Sequence, residues 1–209
     1  MERIATNHTH QESKKSVVIF VGGADDGTDH RHILILYPPS KGERHQLLYY
    51  VPDSIAPWPE QPVRWILDFI IGFHRGRASI RDQVIEELDL GALLDQHMGT
   101  LSKGQRKRVL LAIGLLTPQN ALLIDEPFDG LDLRQARDIA AALRSHASSG
   151  RTLFLSIHQI SDAARICDRF VLLSAGKVCG VGTLDELSAL ARSRGAAASS
   201  LEEAFLALT

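Results

Sequence analysis

An apolar run, Ala121-Leu122-Leu123-Ile124, stops at two adjacent carboxylates, Asp125 and Glu126. A short apolar run of this kind reads as a buried strand, and ligands of open α/β sheets bind outside the carboxyl ends of strands. Side chains alternate along a strand, but the alternation relaxes past its end, so both carboxylates can serve one site. One such group can hold Mg²⁺, usually through water, while the other orients or deprotonates an attacking water. A second strand-like run, "TLFLSIH", ends in His158, whose imidazole there can reach a terminal phosphate.

Upstream lies Leu101-Ser102-Lys103-Gly104-Gln105. Ser102 is placed as a helix N-cap, and Gly104 lets backbone N–H groups approach an anion closely. The helix that follows aims its positive dipole end at that anion. Lys103 and Arg106 add positive charge, whereas Lys107 and Arg108 read as a solvated helix face. Downstream, Gly130-Leu131-Asp132 reads as a turn.

The elements that must position these residues fall into three zones without internal repeats. In residues 16–56, "SVVIFVGG", "HILILYPP" and "RHQLLYYVP" read as strands closed by glycine or proline. Residues 57–116 read as helical. Val63, Ile66, Phe69 and Ile70 mark one apolar face, and Ile80, Val84, Ile85 and Leu88 another; Ser79 with Asp82 has the pattern of a capping box. Residues 117–209 alternate strand and helix. There Leu133, Ala136, Ala140 and Leu143 share a helix face, Ser161 is an expected N-cap, Gly176 marks a turn, and Thr183 with Glu186 forms a second capping box. Such alternation predicts a parallel sheet with helices packed on it.

The totals narrow the function classes. The chain has 209 residues, 44% hydrophobic and 23% charged, in the range of one large α/β domain. A formal net charge of -2 offers no basic field for nucleic acid. Cys167 and Cys179 make neither a disulfide framework nor a zinc site and read as small buried hydrophobes. His8 and His10 lack the partners of a metal site, and residues 1–15 read as a loose polar tail. No apolar run is long enough to span a membrane.

Taken in order, these motifs resemble those of the ATP-binding cassette (ABC) ATPases. "LSKGQ" is similar to the family's signature, "ALLIDEP" to its Walker B strand with the catalytic glutamate, "GLD" to its D-loop, and "SIHQ" holds the switch histidine. "YVPDSIAP" resembles the segment before the Q-loop, "YPPSKGE" the stretch after the first cassette helix, and "SSLEEAFLALT" the tail of ABC-2 type exporter ATPases. The resemblance implies an α/β P-loop NTPase (RecA-like) fold, a parallel sheet flanked by helices. It places one cassette over residues 16–209, with an inserted α-helical subdomain over about 57–116. It implies ATP as substrate with Mg²⁺ held by Asp125, and Glu126 and His158 as catalytic residues. Leu101, Ser102, Lys103, Gly104, Gln105 and Asp132 would take part in ATP binding, Ser102 and Gly104 by holding the γ-phosphate of the ATP on a second cassette in a head-to-tail dimer. A transmembrane permease would complete the exporter, with this chain cytoplasmic and peripheral on the inner face of the membrane. The DNA-repair and chromosome-structure ATPase heads share the signature, but their long coiled coils have no heptad counterpart here.

The family's P-loop, G-x-x-x-x-G-K-[ST], cradles phosphates with backbone N–H groups and a lysine. The candidate is "VVIFVGGADDGTDHRH", where Gly22 and Gly27 have the right separation. Thr28 stands at the lysine position, Asp29 at the Ser/Thr position, and Asp25 and Asp26 put negative charge where phosphates would sit. Asp53 replaces the Q-loop glutamine, and the residues before Gly22 are too few for the family's N-terminal strands with their adenine-stacking aromatic. A degenerate cradle that holds triphosphate weakly is the expectation. An intact member would hydrolyse ATP to drive export; an impaired one would serve as a regulatory or structural partner.

Overall fold

The computed structural model of the chain describes residues 17–23, 47–174 and 177–209. The polar tail, the run "HILILYPP", the stretch "YPPSKGE", the loop residues Gly27 and Thr28 with Asp25, Asp26 and Asp29, and the turn at Gly176 lie outside the described residues.

Among the described residues, strands β1 (Val17–Gly23), β2 (Leu48–Val51), β3 (Ala121–Asp125), β4 (Thr152–Ser156), β5 (Arg169–Ser174) and β6 (Lys177–Gly182) form one sheet in the order β2-β3-β4-β1-β5-β6. All neighbours are parallel except β5 and β6, which pair as an antiparallel hairpin. Parallel pairing puts the carboxyl ends of β1, β2, β3 and β4 at one edge, where Gly22 of β1 pairs with Leu173 and Asp125 with Ser156. Leu122, Ile124, Leu153 and Leu155 are buried, as a sheet covered on its faces requires.

Helices α1 (Val63–His74), α2 (Arg81–Glu87) and α3 (Lys103–Leu116) lie between β2 and β3, and α4 (Leu133–Ser148) between β3 and β4. Helix α5 (Ile160–Ile166) precedes β5, and α6 (Leu184–Ser193) and α7 (Leu201–Leu208) close the chain. No helix among the described residues is long and apolar enough to cross a membrane.

Helix α3 is the centre of the packing, buried on nearly every side from Lys107 to Leu116. Its start is a capping box: Gln105 N donates to Ser102 Oγ at 3.3 Å, and Ser102 N to Gln105 Oε1 at 2.9 Å. Gly114 lets it press on β2, since a Cβ there would collide with Val51 Cγ2. Its last turn is held by Arg151, a fully buried side chain. Arg151 Nη1 donates to Leu115 O at 2.7 Å, Nη2 to Thr117 O at 2.8 Å and Gln119 O at 2.7 Å, and Nε to Gln119 O at 3.1 Å. Leu115 O is one of the carbonyls that a helix end leaves without an intrahelical donor, and Thr117 O and Gln119 O belong to the cap and the loop that follow it. Burial, with the nearby Arg77 charge, pulls the Arg151 pKa down to about 10.

Several local expectations need correction. Lys107 and Arg108 are 2% and 8% exposed, not a solvated face, because α3 packs over its whole girth. Ser79 does not cap α2: it lies inside a 3-10 turn, Ala78–Ile80, and the N-cap position is Ile80, without a side-chain bond. Ser161 falls inside α5, whose N-cap is Gln159. Leu67 takes the core position expected for Phe69, which is exposed. Of the face expected for α4, Leu143 is buried but Leu133 is 77% exposed, and Ile139, Ala142, His146 and Ala147 complete the buried side. The capping box of Thr183 with Glu186 forms as expected, and Cys167 is a buried free thiol.

Candidate active site

The carboxyl ends of β3 and β4 bring the expected catalytic residues together. Glu126 Oε1 lies 3.0 Å from His158 Nε2, with the carboxylate side chain 17% exposed and the imidazole 69%. Glu126 adopts a left-handed backbone, φ 46°, rare for a side chain of this size and typical of strained functional turns. Burial raises its carboxyl above the usual range against the pull of His158, and the Asp125 charge adds to the rise.

Ser156 holds this turn in register. Its hydroxyl donates to Asp125 Oδ1 and accepts from Glu126 N at 3.1 Å, and the same N–H reaches Ser156 O at 3.1 Å. Tyr50 Oη donates to Asp125 Oδ2 at 3.3 Å from the neighbouring strand β2. From α3, Lys107 Nζ donates to Asp125 O at 3.3 Å and pairs with Asp53 Oδ1. Burial would raise the Asp53 carboxyl, but its bonds from Lys107 and Ser54, with the Lys107 charge, hold it below the usual range.

The residues fit Mg²⁺. Asp125 offers hard oxygen donors at the sheet edge; its Oδ1 and Oδ2 accept from the Ser156 and Tyr50 hydroxyls, and a carboxylate oxygen carries more than one lone pair. Mg²⁺ is commonly held by one or two carboxylates with water and phosphate, not by a protein cage.

The signature residues gather at a second place, against the turn after β3. Lys103 Nζ pairs with Asp129 Oδ2, which raises the lysine pKa. A Cβ on Gly104 would come within 3.0 Å of Gly130 O, so only glycine fits that contact comfortably. Gly130 has φ 78° and turns the chain into Asp132, which caps α4 by accepting from Gln135 N at 2.8 Å. Ser102 and Lys103 are exposed, whereas Leu101 is 3% exposed and packs in the core. Of the candidate cradle, only the backbone of Gly22 and Gly23, the last two residues of β1, is described. The residues that sequence reasoning missed are Ser156, Tyr50 and Lys107. The first two carried no local signal, because strand pairing brings them to Asp125: Ser156 stands opposite it, and Tyr50, opposite Leu123, reaches across from β2.

Residues 26–129 match the family model described as ABC transporter. The chain carries an ABC transporter ATP-binding domain. It is 38% identical over 130 residues to ABC transporter G family member 20 of Dictyostelium discoideum, covering 62% of this chain and 17% of that protein. It is 35% identical over 147 residues to the molybdenum import ATP-binding protein ModC 1 of Azotobacter vinelandii, covering 68% and 40%. It is 34% identical over 119 residues to the daunorubicin resistance ATP-binding protein DrrA3 of Streptomyces coeruleorubidus, covering 57% and 37%. The cassette thus matches less than half the length of each of these relatives. A solved structure of an ATP-binding subunit of an ABC transporter superposes with TM-score 0.78 at 24% identity, covering 93% of this chain and 88% of that one. That likeness establishes the fold of an ABC ATPase cassette.

Proposed function

We propose that this cassette binds and hydrolyses ATP at a head-to-tail dimer interface and drives an ABC-2-like exporter. The observation that carries the reading is the Glu126–His158 pair at 3.0 Å, beside Asp125 at the same sheet edge. In it, Asp125 would hold Mg²⁺, and the ion would supply charge neutralisation on the phosphates. Glu126 polarises the attacking water, and His158 contacts the γ-phosphate. Its raised pKa suits Glu126 to that task. Ser102, Lys103 and Gly104, at the start of α3, complete the ATP site of a second cassette.

The permease reading draws support from an exposed run of rings. Trp58, Trp65, Phe69 and Phe73 are 41%, 40%, 37% and 71% exposed, and the last three stack along α1 with centroids 5.1 and 5.7 Å apart. A run of exposed rings of this kind suits the docking of a cytoplasmic helix of the permease. The cassette would then work peripherally on the cytoplasmic face of a membrane, as one domain with its helical part near residues 57–116.

A second reading rests on Thr28 at the lysine position of the cradle: a cassette that does not turn over ATP alone but serves an intact partner. Titration with a fluorescent ATP analogue and Mg²⁺ separates the two. Saturable binding by the isolated chain supports the ATPase. No binding, with stimulation of a partner cassette that is lost in Ser102→Ala, supports the partner role.

A further inference from the structure

The peptide unit joining Asp125 to Glu126 is held from both sides. On one side its N–H donates to Ser156 O and Ser156 Oγ, both at 3.1 Å, from β4. On the other its carbonyl, Asp125 O, accepts from Lys107 Nζ at 3.3 Å, from α3. The lysine is 2% exposed, and the Asp53 side chain that pairs with it is 14% exposed. Asp53 is in turn bonded by Ser54 Oγ at 2.6 Å, so the ammonium is tethered to the loop after β2. A buried cation in water-poor surroundings stays where its acceptors are, because leaving either acceptor unmatched is costly. The peptide it holds is the one that puts Glu126 at φ 46°, a backbone state that persists only where neighbours over-determine it.

We propose that Lys107 is a positioning residue for the turn at Asp125 and Glu126: its ammonium, tethered by Asp53, fixes the peptide unit that joins the two carboxylates. A link of this kind ties the loop after β2 to the hydrolytic turn through the signature helix. It rests on the reading of Asp125 and Glu126 as the hydrolytic pair, but the clamp itself can be read without nucleotide.

The test is amide hydrogen exchange in the full ¹⁵N-labelled chain, comparing Glu126 N–H with Leu172 N–H in β5. In Lys107→Met the Glu126 amide is expected to speed up at least about tenfold more than the Leu172 amide, which reports the global loss of stability; in Lys107→Arg both should stay within about threefold of wild type. A Glu126 amide that is unchanged, or that speeds up only together with Leu172, would overturn the proposal, the latter because it reports a merely structural ion pair. If Lys107→Met does not fold, Asp53→Asn gives the same reading, because it frees the ammonium of its tether; an unchanged Glu126 amide there overturns the clamp. In a preparation that hydrolyses Mg·ATP, Lys107→Met should lower kcat by about tenfold or more with KM within about twofold, and Lys107→Arg should recover most of it. If the wild-type chain hydrolyses no ATP, the reading of the pair as hydrolytic fails, and the amide comparison still decides the clamp.

Discussion

Two buried cations grip the signature helix α3, and they do so differently. At its end, Arg151 spreads its guanidinium over Gly114 O, Leu115 O, Thr117 O and Gln119 O, all neutral carbonyls. One turn into the helix from its start, Lys107 pairs with a carboxylate, Asp53, and reaches Asp125 O at the end of β3. The planar fork of arginine suits several fixed acceptors in a dry place, and helix ends supply them. The compact ammonium of lysine suits one counter-ion and one carbonyl. The contrast separates a staple, whose loss should undo the fold, from a tether, whose loss should misplace a working group.

The largest effect should come from Arg151→Met, which strands buried carbonyls and should cost about 3–5 kcal/mol in urea unfolding. An effect below about 1 kcal/mol would remove the distinction between staple and tether. Lys107→Met should cost less, about 2 kcal/mol, since Asp53 keeps some access to water. Combining it with Asp53→Asn should recover much of that loss, and strictly additive losses would mean that the two residues are not coupled.

The pair also has a sign in pH. Asp53 ionises below its ordinary value in the fold, so its contribution is complete above the unfolded pKa and fades as pH falls through the lower folded one. Acid unfolding of Asp53→Asn should therefore lack the part of the wild-type loss that falls below about pH 4. Ser102→Ala should cost about 1 kcal/mol by removing a helix cap. Phe73→Ser should change stability least, by about 0.5 kcal/mol, because that ring is mostly exposed. If the ring belongs to a docking face, the same substitution should still weaken pull-down of a permease.

Much of this molecule is legible in its sequence. The carboxylates at Asp125 and Glu126, the histidine at 158 and the start of α3 follow from apolar runs that end in particular residues. The N-cap at Ser102 and the capping box at Thr183 were legible because helix starts are local; Ser79 misled because a 3-10 turn had already used that stretch. Lys107 and Arg151 were not legible. A charged residue is usually at the surface, and only the fold reveals which carbonyls and carboxylate lie within reach. Ser156 and Tyr50 bear on Asp125 through strand pairing, which is non-local. Leu133 shows the converse, an apolar residue on the first turn of α4 that the core leaves exposed.

The most direct measurement of the central claim is Mg·ATP hydrolysis by the full chain and its Glu126→Gln variant, alone and mixed with an intact cassette. The expected result is turnover in wild type that falls by about 100-fold or more in Glu126→Gln while nucleotide binding persists. Equal rates in the two proteins, or no contribution of Glu126 to turnover in either setting, would contradict the assignment of this strand end as the hydrolytic site.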